Sequence, residues 1–402
     1  MNEWLRRWAP ARWRAPSTEV PASKVPETKA APVFAWTGAF TGAFADAASW
    51  TVPTYAGLAR EGYRRNPVVH ACLRLVSQAV AAAPRLVREN GAAVSDHPLT
   101  ALLARPNEAQ SGSALLEALT GHLLLAGNAW VRVASLDGEA RALHVLRPDR
   151  MRPLVDREGW LTGWEHQGAR PERIMLGDGP PPVIHSALFD PLDDHLGASP
   201  LAAAAGSVDL LNAANRWNKA LLDNSARPSG ALVYSSTDGN LTAEQFERLR
   251  GELESGYAGA SRAGRPLLLE GGLDWKAMSL SPRDMDFLEA RNGAARDVAL
   301  AFGVPPMLLG IPGDNTYSNY AEAQRAFWRQ TVLPLATRLL GDVAHGLNAW
   351  FGSQVELRVD MDALPALGPE REVLWRRVGE ADFMTVPEKR AAVGLPPMPE
   401  VA

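Results

Sequence analysis

Cysteine is almost missing from this 402-residue chain, which carries only Cys72. One thiol excludes internal disulfides and any multi-cysteine zinc site, and it points to a reducing compartment. Lysine is nearly as scarce, at five residues, and none follows a glycine. No G-x-x-x-x-G-K loop is therefore present to cradle a nucleotide phosphate. The eight histidines are scattered singly with no H-E-x-x-H pair, and no G-x-S-x-G elbow occurs. Gly177-Asp178-Gly179 runs into three prolines, which cannot open a dinucleotide-binding helix. No stretch approaches 18 consecutive apolar residues, so no membrane-spanning helix is readable. The opening residues, MNEWLRRWAPARWRAP, lack the apolar centre of a signal peptide. These absences predict a cytoplasmic protein with no cofactor and no metal.

The bulk composition is ordinary, with 46% apolar and 21% charged residues. The length exceeds one hydrophobic core, so two or more subdomains are expected. Lys+Arg total 41 against 45 Asp+Glu, a net charge of −4, with pI near 6.1. Tight nucleic-acid binding by counterion release calls for a basic stripe and a high pI. The charge argues against a DNA grip, though not against DNA sliding past.

Local signals organise the chain. Residues 1–64 are rich in Pro, Ala and Thr without helical or strand period, and read as a mostly disordered arm. In it Trp4, Trp8 and Trp13 interleave with Arg6, Arg7, Arg12 and Arg14. Order is expected to begin at Asn66-Pro67, a cap followed by a first-turn proline. Val69, Cys72, Leu73, Val76 and Val80 recur at helical spacing, so Cys72 reads as a buried core thiol. A second helix spans residues 113–126 and stops at Gly127. Strands at 129–134 and 142–147 flank Asp137-Gly138, a strong hairpin signal. Another hairpin joins 151–155 to 160–166. Ser199-Pro200 opens a long helix reaching about Asn224. A β-α-β unit follows: a strand at 230–235, a helix at 242–257, a strand at 266–270, and a further strand at 273–278. A helix over 283–302 ends before Pro305-Pro306. Loop residues then lead to a helix from about 318 to 350 with a kink at Pro334, a strand at 355–361 and a short C-terminal helix. The class is α+β.

Two acidic groups are the candidates for chemistry. Asp190, Asp193, Asp194 and His195, in FDPLDDHLGASP, could hold a hard divalent cation, but a hydrophilic loop before a helix explains them equally. Asp360 and Asp362 form a weaker pair at a strand end. On these residues alone, a metal-dependent enzyme using the Asp190–His195 loop and a monomeric adaptor both remain open.

Three segments in order carry a resemblance to a known family. They are Val183-Ile184-His185 through FDPLDDHLGASPL, then ARPSGALVYSS to SPRDMDFLEAR with FGVPPMLLG and TYSN, and finally MTVPEKRAAVGLPPMP. Together they resemble the portal proteins of long-tailed phages. The short, Arg-rich, Lys-poor chain also resembles portals of gene transfer agents.

That resemblance implies a structural subunit, not an enzyme. It implies a ring, typically of twelve, at one capsid vertex of a virion or phage-like particle assembled in the bacterial cytoplasm. Double-stranded DNA passes through such a ring without sequence specificity. The implied partners are the large terminase motor, the major capsid protein and the head-tail adaptor. By the same resemblance residues 65–198 look like an α/β wing, and 199–227 with 282–303 like a two-helix stem. Residues 228–281 look like a β-α-β clip, with Tyr234, Glu247, Arg250, Arg265 and Trp275 facing partners. Residues 304–318 look like a tunnel loop, where Asp314, Asn315, Thr316, Tyr317 and Ser318 offer polar contacts to phosphates. Residues 319–362 look like a kinked tunnel helix and the rest of the wing, and 363–402 like a short C-terminal segment with a reduced crown.

Overall fold

The computed structural model describes residues 50–395 apart from 90–91, 95, 224–229, 235–241, 243, 245–246, 249–272, 278–286 and 313–316. Residues 1–49, with the three N-terminal tryptophans, lie outside the described residues. The arm read from sequence to residue 64 ends earlier than expected, however. Thr54 caps a short helix, Tyr55–Gly57, that continues as a π-helical stretch, Leu58–Arg64. Leu58 is buried in the main core, and the Glu61 carbonyl accepts a 2.9 Å bond from Asn212 Nδ2. These contacts join residues some 150 positions apart, so no local pattern announces them.

Helix α1 (Pro67–Ala82) starts as the sequence predicts. Asn66 Oδ1 accepts from the Val68 and Val69 amides, and Pro67 occupies the first turn. Its buried face is Val69, Cys72, Leu73, Val76 and Val80. Burial pushes the Cys72 thiol up to about 12, which makes it an inert core group. Strands β1 (Arg85–Glu89) and β2 (Ala92–Ala93) follow, then α2 (Pro98–Ala104) and α3 (Gly112–Ala126). Helices α1 and α3 pack together, and Gly127 closes α3 at φ +72°.

Strands β3 (Asn128–Leu136) and β4 (Glu139–Leu146) form the expected hairpin. Asp137 and Gly138 both have positive φ, 53° and 80°, as a type I′ turn requires. Strands β5 (Met151–Val155), β6 (Leu161–Gln167) and β7 (Pro171–Met175) make a second antiparallel sheet, and β8 (Val183–Ala187) joins β3 in the order β4-β3-β8. Strand β7 escapes sequence reading because Pro, Glu and Arg fill it and only Ile174 turns inward. A satellite core of Trp130, Met151, Trp164, Ile174 and Val183 joins the two sheets. Trp130 meets Trp164 edge-on at 5.3 Å and stacks on His185 at 4.5 Å.

One buried amide ties this region together. Asn128 Nδ2 donates to the Ala126 and Gly197 carbonyls, both at 2.9 Å. Its Oδ1 accepts from Gly197 N at 2.8 Å and from His185 Nε2 at 2.9 Å. Burial holds His185 down at about 4, so the neutral ring carries its proton on Nε2, facing this acceptor. Gly197 must be glycine, since a Cβ there would lie 2.3 Å from the Gly127 carbonyl.

After a single helical turn, Pro200–Ala203, capped by Ser199, helix α4 runs over Ala205–Asp223. The sequence reads one continuous helix here, but the backbone breaks at Ala204. Strands β9 (Gly230–Tyr234) and β10 (Leu273–Ala277) pair antiparallel. The expected strand at 266–270 and most of the expected helix at 242–257 lie outside the described residues. Helix α5 (Phe287–Ala301) packs against α4. Helix α6 (Tyr317–Phe327) passes through a π-helical turn, Trp328–Val332, into α7 (Leu333–Phe351).

Where the sequence reads a kink at Pro334, the backbone shows a π-helical turn immediately before it. Pro334 has no N–H for the Gln330 carbonyl and its ring crowds that group, so Leu333 N bonds to Trp328 O instead and the turn widens. Strand β11 (Val355–Val359) pairs with β1, and β2 closes a sheet of order β11-β1-β2. Helices α8 (Gly368–Gly379) and α9 (Val386–Val393) end the described chain, one helix more than expected, with a capping box at Thr385 and Glu388.

Replacing Asn128 with alanine leaves Gly197 N–H, two carbonyls and His185 unpaired in a dry site. The expected loss is about 3 kcal/mol of folding stability, read by urea denaturation; a loss below about 1 kcal/mol would show that Asn128 is not the tie.

Candidate functional site

The helix pair α4–α5 has an uneven burial profile. On α4 the buried residues are Val208, Leu211, Asn212 and Ala214, all at its N-terminal end. On α5 they are Ala294, Ala295, Val298 and Ala299, at its C-terminal end. Toward β9 and β10 no described residue of the pair is buried: Trp217 and Asn218 are half-buried and residues 288–291 are exposed, Leu288 at 69%. Leu288 falls beyond the reach of the core. The two helices pack on each other, and the chain between them includes the strand pair β9–β10. At the near end Ser207 Oγ donates to Asp297 Oδ2 at 3.2 Å, and Thr51 N donates to Asp209 Oδ2 at 2.7 Å.

The connector after α5 is built, not slack. Gly303 takes φ +64°, with Gly303 N bonded to Leu300 O and Val304 N to Ala299 O, a Schellman closure. Val304 is buried behind it. Pro306–Leu309 form one 3₁₀ turn that ends at Gly310, φ +70°. Leu308 and Leu309 pack on the core, and Ile311 is buried. Two further bonds pin this connector: Thr331 Oγ1 donates to the Gly303 carbonyl at 2.6 Å, and Arg296 Nη2 donates to the Pro312 carbonyl at 2.6 Å. Thr331 belongs to the π-helical turn, so the widened turn of one helix touches the glycine cap of the other. Beyond the connector, α6 is exposed from Asn319 to Glu322 and buries only Phe327.

The predicted site residues distribute as follows. Asp314, Asn315 and Thr316 lie outside the described residues, while Tyr317 and Ser318 open α6. Tyr234 closes β9 opposite Leu273, and Trp275 on β10 faces Leu232. Glu247 is exposed, and Arg250 and Arg265 lie outside the described residues. The sequence missed Arg296, Gly303 and Thr331. Gly303 carried a signal, a glycine just past a helical run and ahead of Val-Pro; Thr331, 28 residues away, carried none.

The acidic loop has an ordinary structural account. Asp190 Oδ1 accepts from Leu192 N, and Asp193 Oδ1 from His195 N and Leu196 N. The latter two bonds hold the Asp193 carboxyl below its usual range. His195 Nε2 lies 3.0 Å from the Gly159 carbonyl. Among the described residues no group of three or more His, Cys, Asp or Glu side chains could hold a metal ion. Asp362 binds Arg371 and Trp375 Nε1, a structural tie between the end of β11 and α8. Among the described residues no helix is long and apolar enough to cross a membrane.

The α+β core, the helix pair α4–α5 and the hydrogen-bonded connector after it are the features that a family assignment has to fit. The chain belongs to the phage portal protein family, whose profile matches residues 67–394, and like that family it is structural rather than enzymatic. A chain in the neck of an empty gene transfer agent particle, resolved with C6 symmetry, is 47% identical. It superimposes with a TM-score of 0.68, over 87% of this chain and 96% of that one. In the neck of the native particle, resolved with C12 symmetry, the matching chain is 48% identical with a TM-score of 0.66, covering 87% and 95%. The probable portal protein of Streptomyces phage phiC31 is 26% identical over 345 residues, 83% of this chain and 75% of that protein.

Gly303→Ala forces a Cβ into the left-handed region and within 2.7 Å of Thr331 Oγ1. Gly310, at a similar φ, has open space around it. Thermal or urea unfolding should show a cost of about 2–3 kcal/mol for Gly303→Ala and about 1 kcal/mol for Gly310→Ala. Equal costs would mean that Thr331 yields freely.

Proposed function

We propose that this chain is the portal subunit of a phage-like particle, closing into a ring of twelve at one capsid vertex and surrounding the path of double-stranded DNA. The observation that carries the reading is the match, over nearly the whole of the related chain, to a subunit in a particle neck resolved with C12 symmetry. The surface supports it. Leu210 and Leu300 are 49% and 79% exposed on the projecting helix pair, more apolar surface than a free helix pair favours. A ring needs heterologous contacts that close on themselves, and long helices side by side supply them.

In this reading residues 65–198 form the wing, α4 and α5 the stem, and the β9–β10 region the clip, which meets the terminase motor and then the head-tail adaptor. The pinned connector delivers residues 313–318 to the DNA path. There Asp314, Asn315, Thr316, Tyr317 and Ser318 offer short polar contacts to phosphates, while a net charge of −4 keeps the duplex from binding tightly. Position-only contacts of this kind carry no sequence information, which suits DNA of any sequence. The particle neck is where the protein would reside.

Mass photometry of the purified chain should show a species of about 500 kDa, twelve copies of a 43.3 kDa subunit. A strict monomer at micromolar concentration, with and without capsid protein, would overturn the ring. Exchanging residues 314–318 for Gly-Ser should leave that mass intact and lower packaged DNA per particle several-fold; unchanged packaging would remove the loop from the DNA path.

A further inference from the structure

A cleft of about 680 Å³ lies beside the acidic loop, with Pro53, Thr54, Trp130, Asp149, Asp190 and Leu196 among its walls. Trp130 is 1% exposed, and its indole Nε1 has no acceptor among the described residues. A buried N–H left in that state is costly, and the carbonyl of an inserted segment would satisfy it.

The loop that brings Asp190 and Leu196 to this cleft holds apolar side chains out in water. Leu192 is 94% exposed and Phe189 79%, on a backbone fixed by the turns at Asp190 and Asp193. The contact of His195 with the Gly159 carbonyl brings the hairpin tip, with exposed Trp160, to the same loop. Asp193 and Asp194 are exposed and Asp190 is half-buried. Among the described residues no arginine or lysine pairs with any of the three, whereas Asp149 is already paired to Arg147. Fixed apolar side chains among unpaired carboxylates suit a segment that is both aromatic and basic.

The chain has such a segment near its start. Residues 4–14 hold three tryptophans and four arginines, and no acid. The chain also enters the described body at this cleft: Thr51 N bonds to Asp209, and Pro53 and Thr54 line the wall. Residues 15–49 lie between and span at most about 120 Å. A compact body of about 350 residues is only about 50 Å across. That length reaches the cleft of an adjoining copy, whereas a return to the cleft at its own root needs only a few residues.

We propose that residues 4–14 of one copy dock on this cleft in an adjoining copy, tryptophans against Phe189 and Leu192, arginines against Asp190, Asp193 and Asp194. The proposal rests on the portal reading for the presence of an adjoining copy. The tether raises the local concentration of the segment, so a contact that is weak between free molecules suffices.

The test places the photoreactive residue p-benzoylphenylalanine at Leu192 in the full chain. Irradiated rings should give covalently joined copies, with the crosslinked peptide mapping within residues 4–14. Asp194→Lys, introduced beside the probe, is the second variant. Asp194 is exposed and has no bonded partner among the described residues, so the fold is spared. This variant should cut crosslinking roughly fivefold or more while the unfolding midpoint stays within about two degrees. Crosslinks confined to a single copy, crosslinks that map elsewhere, or none in rings of full mass would overturn the proposal. So would an Asp194→Lys chain that crosslinks normally. Mass photometry of the unmodified chain scores the ring separately. A chain that forms no ring refutes the portal reading and this inference with it, whereas full rings without these crosslinks refute only the inference.

Discussion

A side-chain amide that is taken out of water has to satisfy both its donors and its acceptor, and few places in a fold offer that many partners at once. Asn128 finds them by standing where four pieces of chain meet: the end of α3, the start of β3, the strand β8 through His185, and the backbone at Gly197. Two of these partners are 57 and 69 residues away in sequence. Because Gly197 leads within two residues to Ser199, which caps the turn before α4, the amide also fixes the direction in which the long helices leave the body.

The rest of the architecture divides along the same line. Helices α1, α3 and α7 with the sheet β4-β3-β8 hold the continuous apolar core. Helices α4, α5 and α6 bury residues in that core over one part of their length each and are otherwise exposed or half-buried where they are described. Where the two regimes meet, backbone irregularities gather: the break at Ala204, the left-handed Gly303, and the widened turn at Trp328–Val332. Ala204 N bonds to the Leu201 carbonyl, and the Thr331–Gly303 bond ties the other two irregularities together.

The sequence revealed whatever is enforced within a few residues. The Asp137-Gly138 turn, the Asn66 cap, the Gly127 stop and the burial of Cys72 all follow from backbone sterics or helical spacing. It was silent where the cause is distant. The π-helical stretch at Leu58–Arg64 depends on Leu201 and Asn212, β7 depends on pairing with β6, and the anchor at Gly303 depends on Thr331. Pro334 announced a distortion but not its place, because the carbonyl it displaces lies one turn before it. The family was legible only as a resemblance carried by three ordered segments, since no single local pattern of residues states it.

Cys72, finally, has a chemical meaning once the chain is pictured outside the cell that made it. Its thiol is fully enclosed and held protonated, and the sequence holds no other. Thiol oxidation, disulfide scrambling between copies and thiolate capture of stray soft metals all begin with a thiolate at the surface. None has a point of attack here. Within this subunit the thiol route to covalent damage is therefore closed.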